Sequence, residues 1–216
     1  MPWMEATRII AVRHGETAWN VDARIQGQTD IALNETGLWQ ARRVGEALSG
    51  EPITVVYSSD LERAQATARC IAEPAGVPLV PHRGLRERSF GMFEGRTFEE
   101  IHRDWPDQAQ NWRQRIPEWQ PPEGGESLLE LRERVRRTVE ELAARHPGEQ
   151  IVLVAHGGVL DALYRLATGQ AVNSPRTWEL PNGAINRLLW TPQGLTLVGW
   201  SDTQHLDDAA ADETSV

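Results

Sequence analysis

Apolar positions along the chain come in two textures, short unbroken runs and longer stretches with helical spacing. Two of the runs read alike: RIIAVRHG from Arg8 to Gly15 and QIVLVAHGG from Gln150 to Gly158. Each is rich in β-branched residues and stops at a His-Gly pair, the pattern of a buried parallel strand that delivers a histidine to the carboxyl edge of a sheet. Open α/β sheets bind ligands at that edge. A third run, Thr54 to Ser59 (TVVYSS), leads into DLERAQATARCIA and puts Arg63 in the first turn of a helix. Further short strands are expected over Val77 to Val80, Ile185 to Trp190 and Leu195 to Trp200, the last two separated by Pro192, Gln193 and Gly194.

Helical spacing fills the gaps. The polar, glycine-containing segment after the first strand gives way near Gly37 to a helix ending at Leu48, with Leu38, Ala41, Val44 and Leu48 as its buried stripe and Gly50 as its stop. Ser59 and Glu62 form a capping-box signature for the next helix, and Pro74 is expected to end it. Ser127 with Glu130 opens another, whose buried face is Leu128, Leu131, Val135, Val139 and Leu142; the charges from Arg132 to Arg137 read as its solvated face. A last helix follows His156 to about Ala167. The alternation predicts an α/β fold: a mainly parallel central sheet flanked by helices on both faces.

The segment from about Met92 to Gly125 breaks this rhythm with Pro106, Pro117, Pro121 and Pro122 and with Trp105, Trp112 and Trp119. It predicts an inserted helical cap over the strand ends. The seven-residue tryptophan spacing suits either a stacking surface for a ring-bearing substrate or simple packing of a helix. Packing is the preferred reading, because Pro117 interrupts a continuous stripe. The expected organisation is one domain over 1–206 and a mobile acidic tail over 207–216.

Composition narrows the functions. With 216 residues, 40% of them hydrophobic, the chain can bury one sizeable core. MPWMEATRII lacks a basic start followed by a long apolar run, and every apolar run is strand-sized, so a soluble cytoplasmic protein is expected. Cys70 is the sole cysteine, which leaves no intramolecular disulfide or thiolate metal cluster. A net charge of -9 argues against nucleic acid and anionic membranes as partners, so an anionic ligand must be held by local geometry. All 22 basic residues are arginines, which rules out Schiff-base and lysine general-base chemistry.

Three strand ends can therefore gather His14, His156, Arg13 and Arg63. A neutral imidazole can attack phosphorus and carry the phosphoryl group without a metal. The attack needs fixed positive donors around the non-bridging oxygens, and arginine's planar fork supplies them in pairs. Arg63 has the added help of a helix N-terminus, unless it is a surface residue paired with Glu62 or Glu46. Gly15, Gly157 and Gly158 would let backbone approach a ligand beside each histidine. A carboxylic acid must protonate the leaving alcohol. Glu87 is the candidate, with Glu16, Glu94 and Glu126 nearly as plausible from position alone. His82, His102, His146 and His205 lack comparable context. A facial-triad metal site is the rival chemistry, but no HExxH or HxH spacing occurs and two arginines would repel a dication.

The blocks VRHGETAWN, RIQGQTDIALNETG, SSDLERAQATA, LRERSFGMFEG, PPEGGES and VLVAHGGVL, in that order, resemble the histidine phosphatase superfamily, the phosphoglycerate mutase-like proteins, across nearly the whole chain. The resemblance implies that fold, with its inserted cap, and a phosphohistidine mechanism. In it His14 is the nucleophile, Glu87 the proton donor, and Arg13, Arg63 and His156 complete the phosphate pocket. Asn20, Gln26, Gly27 and Gly157 would touch phosphate or substrate. The Arg24 to Gly27 and Ser89 to Gly95 blocks are similar to the phosphatase-type branch, which implies hydrolysis of a small phosphorylated metabolite without a cofactor or metal. The alternatives are a phosphoglycerate mutase, which would need 2,3-bisphosphoglycerate, and a non-catalytic phospho-ligand binder. An apolar edge strand would support a homodimer.

Overall fold

The computed structural model describes residues 5–207; the tail expected after Asp207 lies outside the described residues. The chain begins with β1 (Thr7–Arg13), a one-turn helix α1 (Ala18–Val21), α2 (Glu35–Ala47), β2 (Val55–Ser58), α3 (Glu62–Ala75) and β3 (Leu79–Pro81). Two 3₁₀ turns, Arg83–Leu85 and Gly91–Phe93, lead to α4 (Phe98–Asp104) and α5 (Pro106–Arg113). Then come α6 (Leu128–Ala143), β4 (Gln150–Ala155), α7 (Gly157–Thr168), β5 (Ile185–Thr191), β6 (Gly194–Asp202) and α8 (Gln204–Asp207). The six strands form one sheet in the order β3-β2-β4-β1-β5-β6. The first four are parallel, and the β5–β6 hairpin adds antiparallel to β1.

The period of two along the strands divides the core. Ile9, Ala11, Ile151 and Leu153 face α6 and α7, where Leu131, Val135, Leu142, Val159 and Leu163 meet them. Ile10, Val12, Val152 and Val154 face α2 and α3, against Val44, Leu48, Ala64 and Ile71. β1 and β4 are thus buried on both faces, which explains their unbroken apolar runs. Each fully buried aliphatic side chain contributes about 1.5–3 kcal/mol.

Several local expectations are corrected. α2 starts two residues earlier, because Asn34 caps it by accepting from the Gly37 N–H, and Leu38 is 42% exposed, one position off the buried line of Gly37, Ala41 and Val44. Its C-cap is Leu48, not Gly50. Ser59 accepts from Leu61 N–H instead of capping α3, whose N-cap is Leu61. Pro74 stays inside the last turn of α3, and left-handed Gly76 at φ 65° ends it. β3 pairs as Val56↔Leu79 and Ser58↔Pro81, two residues later than expected at its start, with its proline at the sheet edge where a missing donor is tolerated.

In the cap segment, α4 and α5 enclose Phe93, Ile101 and Ala109, with Trp105, Trp112 and Trp119 packed around them. The tryptophan spacing is therefore mainly packing, and Trp112 also stacks on Phe90 at 4.9 Å.

Candidate active site

Parallel pairing sets Arg13 opposite Ala155, so His14 and His156 leave adjacent strands at the same edge. After β1 the chain packs as α2 on one face, and after β4 it packs as α7 on the other. The two backbones diverge there, which opens the crevice expected at such a switch point. The imidazole centroids lie 5.1 Å apart, inclined at 59°. His14 Nδ1 donates to the Gly15 carbonyl at 2.6 Å. A carbonyl only accepts, so Nδ1 carries the proton and Nε2 keeps its lone pair.

Burial is the main cause that holds both histidines well below the usual imidazole pKa, followed by the positive charge of Arg63. Both rings are therefore neutral at physiological pH. Arg63, fully buried in the first turn of α3, donates to the carbonyls of Thr29 and Gly27 at 2.8 and 2.7 Å. It is no surface ion-pair residue. Burial lowers the Arg13 guanidinium to about 10, with Glu87 opposing the shift, and Arg13 also donates to the Leu180 carbonyl.

Arg13 Nε, Arg63 Nε and both ring nitrogens of His156 are buried without a hydrogen-bond partner among the described residues. Leaving a buried polar group unpaired costs about 1–3 kcal/mol. The niche that these groups form beside His14 offers an anion's oxygens two guanidinium N–H donors and, because a neutral imidazole carries one ring proton, one N–H of His156, with positive charge in a water-poor setting.

Glu87 faces this niche from the loop after β3. Its Oε2 accepts from the Gly158 N–H at 3.0 Å, and Oε1 accepts from the Arg88 N–H at 2.7 Å. The three other carboxylates have structural partners. Glu16 takes Asn34, Glu126 takes both ends of the Arg134 guanidinium, and Glu94 takes Gln28 N–H, Thr29 Oγ1 and Phe90 N–H. Arg134 also donates to the carbonyls of Gly84 and Arg86 at 2.9 and 2.8 Å, so it anchors the Glu87 loop and does not belong to a solvated face.

The remaining expected residues build the first loop. Asn20 Oδ1 accepts from Thr17 N–H, Gln26 Oε1 accepts from Thr17 Oγ1, and Gly27, at φ 52°, turns its carbonyl to Arg63. Two glycines have reasons other than ligand access. A Cβ on Gly15 would strike the Gly37 backbone of α2, and one on Gly158 would strike the Glu87 carboxylate. Asn182, absent from the motif reading, donates to the His14 carbonyl at 3.0 Å.

A cavity of about 330 Å³ opens beside Arg13, Gly157 and Gly158 and reaches Phe90 and Trp112 of the cap. Phe93 and Trp105 do not line it. Arg88, Arg115, Asp161 and Arg176 do, and no sequence motif pointed to them, since they come from four separate segments.

The model of the histidine phosphatase superfamily (branch 1) matches residues 9–203. The chain belongs to that superfamily. Among its relatives, the metal-independent phosphoserine phosphatase of Arabidopsis thaliana is 39% identical over 94% of this chain and 84% of its own. Phosphoglycerate mutase-like protein 4 of the same plant is 37% identical over 95% of this chain and 89% of its own. Of solved structures, Bacillus stearothermophilus YhfR superposes with a TM-score of 0.85 at 29% identity, covering 93% of this chain and 100% of that one. The phosphoserine phosphatase of Entamoeba histolytica, solved as a mutant in complex with phosphoserine, gives 0.80 at 30% identity, with coverage of 93% and 99%. Within this histidine phosphatase, no group of three or more His, Cys, Asp or Glu among the described residues is placed to hold a metal ion. Nor is any described helix long and apolar enough to cross a membrane.

Proposed function

We propose that this histidine phosphatase is a metal-independent phosphomonoesterase for small phosphorylated metabolites, with His14 as its nucleophile. The observation that carries the assignment is the pair of partnerless buried Nε–H groups of Arg13 and Arg63, with the buried His156 ring beside them, around a histidine whose Nε2 is free. Names of relatives agree with phosphate-ester substrates.

In the first step the Nε2 lone pair attacks phosphorus and the ester P–O bond breaks. Glu87, in its acid form, gives its proton to the departing alkoxide, while Arg13, Arg63 and neutral His156 bind the non-bridging oxygens. In the second step Glu87, now a carboxylate, takes a proton from water. The water oxygen bonds to phosphorus, the P–N bond breaks, and inorganic phosphate leaves with His14 neutral again. No metal or organic cofactor takes part.

Mutase activity is the second reading, favoured by the name of the phosphoglycerate mutase-like relative. It shares the first step and passes the phosphoryl group to a sugar-acid hydroxyl in place of water. Phosphate release from p-nitrophenyl phosphate in EDTA, lost in His14→Ala, tests the hydrolytic reading. Isomerisation of 3-phosphoglycerate that depends on 2,3-bisphosphoglycerate and outruns phosphate release would replace it with the mutase.

A further inference from the structure

Arg13 and His14 are gripped from the side by the segment 180–184, which lies between α7 and β5. Four hydrogen bonds join the two stretches of chain. The Arg13 N–H donates to the Ala184 carbonyl at 3.4 Å, and the Gly183 N–H donates to the Arg13 carbonyl at 3.0 Å. The Arg13 guanidinium donates to the Leu180 carbonyl, and Asn182 Nδ2 donates to the His14 carbonyl at 3.0 Å. The last of these reaches the peptide of the proposed nucleophile itself.

The segment is fixed from behind. Gly183 has a left-handed backbone at φ 72°, and its carbonyl accepts from His205 Nε2 of α8 at 2.9 Å. His205 is 9% exposed, and its own carbonyl accepts from Arg43 Nε of α2 at 2.9 Å. Two helices therefore brace the backbone that presents Asn182 to His14.

A count of donors shows what Asn182 does there. A side-chain amide has two N–H donors. The Asn182 Nδ2 group reaches the His14 carbonyl and, at a longer 3.4 Å, Asn20 Oδ1. Asn20 Oδ1 also accepts from the Thr17 N–H at 3.0 Å, so turning either amide over would set like groups against each other. With its oxygen engaged in this way, Asn20 keeps its Nδ2 hydrogens for a ligand.

The peptide that Asn182 holds is pinned at both ends. Its carbonyl, from His14, takes Asn182, and its N–H, from Gly15, donates to Thr67 Oγ1 of α3 at 3.1 Å. The next carbonyl, of Gly15, takes the proton on His14 Nδ1 and so sets the direction of Nε2. A tilt of this peptide turns the imidazole with it, and attack in line with the breaking P–O bond depends steeply on that alignment.

We infer that Asn182 is a positioning residue for phosphoryl transfer. Its one amide ties the main chain of His14 to the side chain of Asn20, so that ring and amide address the same phosphoryl group in fixed register. This deepens the phosphomonoesterase assignment and rests on His14 as its nucleophile.

The test uses the full-length protein and two inhibitors, inorganic phosphate and vanadate. Vanadate takes up the five-coordinate geometry of the transition state with the attacking nitrogen in line, whereas phosphate binds as a tetrahedral anion. Asn182→Ala is expected to lower kcat/KM about ten- to a hundredfold and to weaken vanadate by a similar factor. Inhibition by phosphate should change much less, because an interaction that serves alignment acts on the transition state more than on a bound ground state. Asn20→Ala should cost less in the Asn182→Ala protein than in the unaltered one, because the register it depends on is already lost. Asn182 is half-buried, and if Asn182→Ala fails to fold, Asn182→Ser is expected to show the same split between the inhibitors. An unchanged kcat/KM, equal weakening of vanadate and phosphate, or full additivity with Asn20→Ala would overturn the inference. Full turnover by His14→Ala would remove the nucleophile assignment and this inference together; with His14→Ala inactive, those three results count against Asn182 alone.

Discussion

Gly158 and Glu87 are fitted to each other: the glycine N–H donates to Glu87 Oε2 at 3.0 Å, and no Cβ can be placed on that glycine without striking Oε1. The first turn of α7 thus fixes the carboxyl proposed above to trade protons with the leaving group and with water.

Gly158→Ala is expected to displace the flexible end of Glu87 and leave the backbone intact. Activity on an alkyl phosphate should fall about a hundredfold, in line with the worth of a positioned general acid. On p-nitrophenyl phosphate the loss in kcat/KM, which reports the phosphorylation step, should be much smaller, because that alcohol leaves without a proton, while kcat still needs Glu87 as the base of the second step. Equal losses of kcat/KM on both substrates, at an unchanged melting temperature, would show that the glycine does not act through Glu87.

Arg134→Leu removes the donors that hold the Gly84 and Arg86 carbonyls and leaves Glu126 unpaired. A loss of about 2–4 kcal/mol of stability is expected. For a chain of this size that is a fall of roughly 4–16 °C in melting temperature, measurable by calorimetry.

The depressed histidines couple stability to pH. The folded state keeps His14 and His156 neutral, whereas the unfolded chain takes up protons below about 6.5. The unfolded state therefore binds more protons, and stability present above pH 6.5 is lost as pH falls below it. Between pH 7.5 and 5.5 the melting temperature should fall, and His156→Asn should lessen the pH slope. A flat profile, or a slope untouched by the substitution, would contradict neutral buried rings.

The β1 and β4 runs announced their place because both strands are buried on both faces, and the His-Gly stops marked the edge where the site forms. Arg63 was legible because its helix follows directly on a strand. What stayed hidden depends on contacts between distant segments. Leu38 missed the core because the buried line of α2 runs through Gly37, Ala41 and Val44, with Gly37 packed against the Glu16 backbone. Arg134 looked like one charge among many until the fold laid the Glu87 loop beside it. Arg88, Arg115 and Arg176 meet only when cap, acid loop and the segment before β5 converge. From position alone four glutamates competed for the acid's role, and the family resemblance singled out Glu87. Hydrogen bonding alone does not separate the four, since Glu87 also accepts from two backbone N–H groups; what distinguishes it is that one of them belongs to Gly158, two residues after His156.

The most direct measurement is rapid acid-free quenching of the enzyme during turnover of a phosphomonoester, followed by peptide mass spectrometry and ³¹P NMR. The account predicts an acid-labile phosphoramidate on the peptide containing His14, bonded through Nε2 and absent from His14→Ala. A phosphoryl group on another residue, or full turnover by His14→Ala, would contradict it.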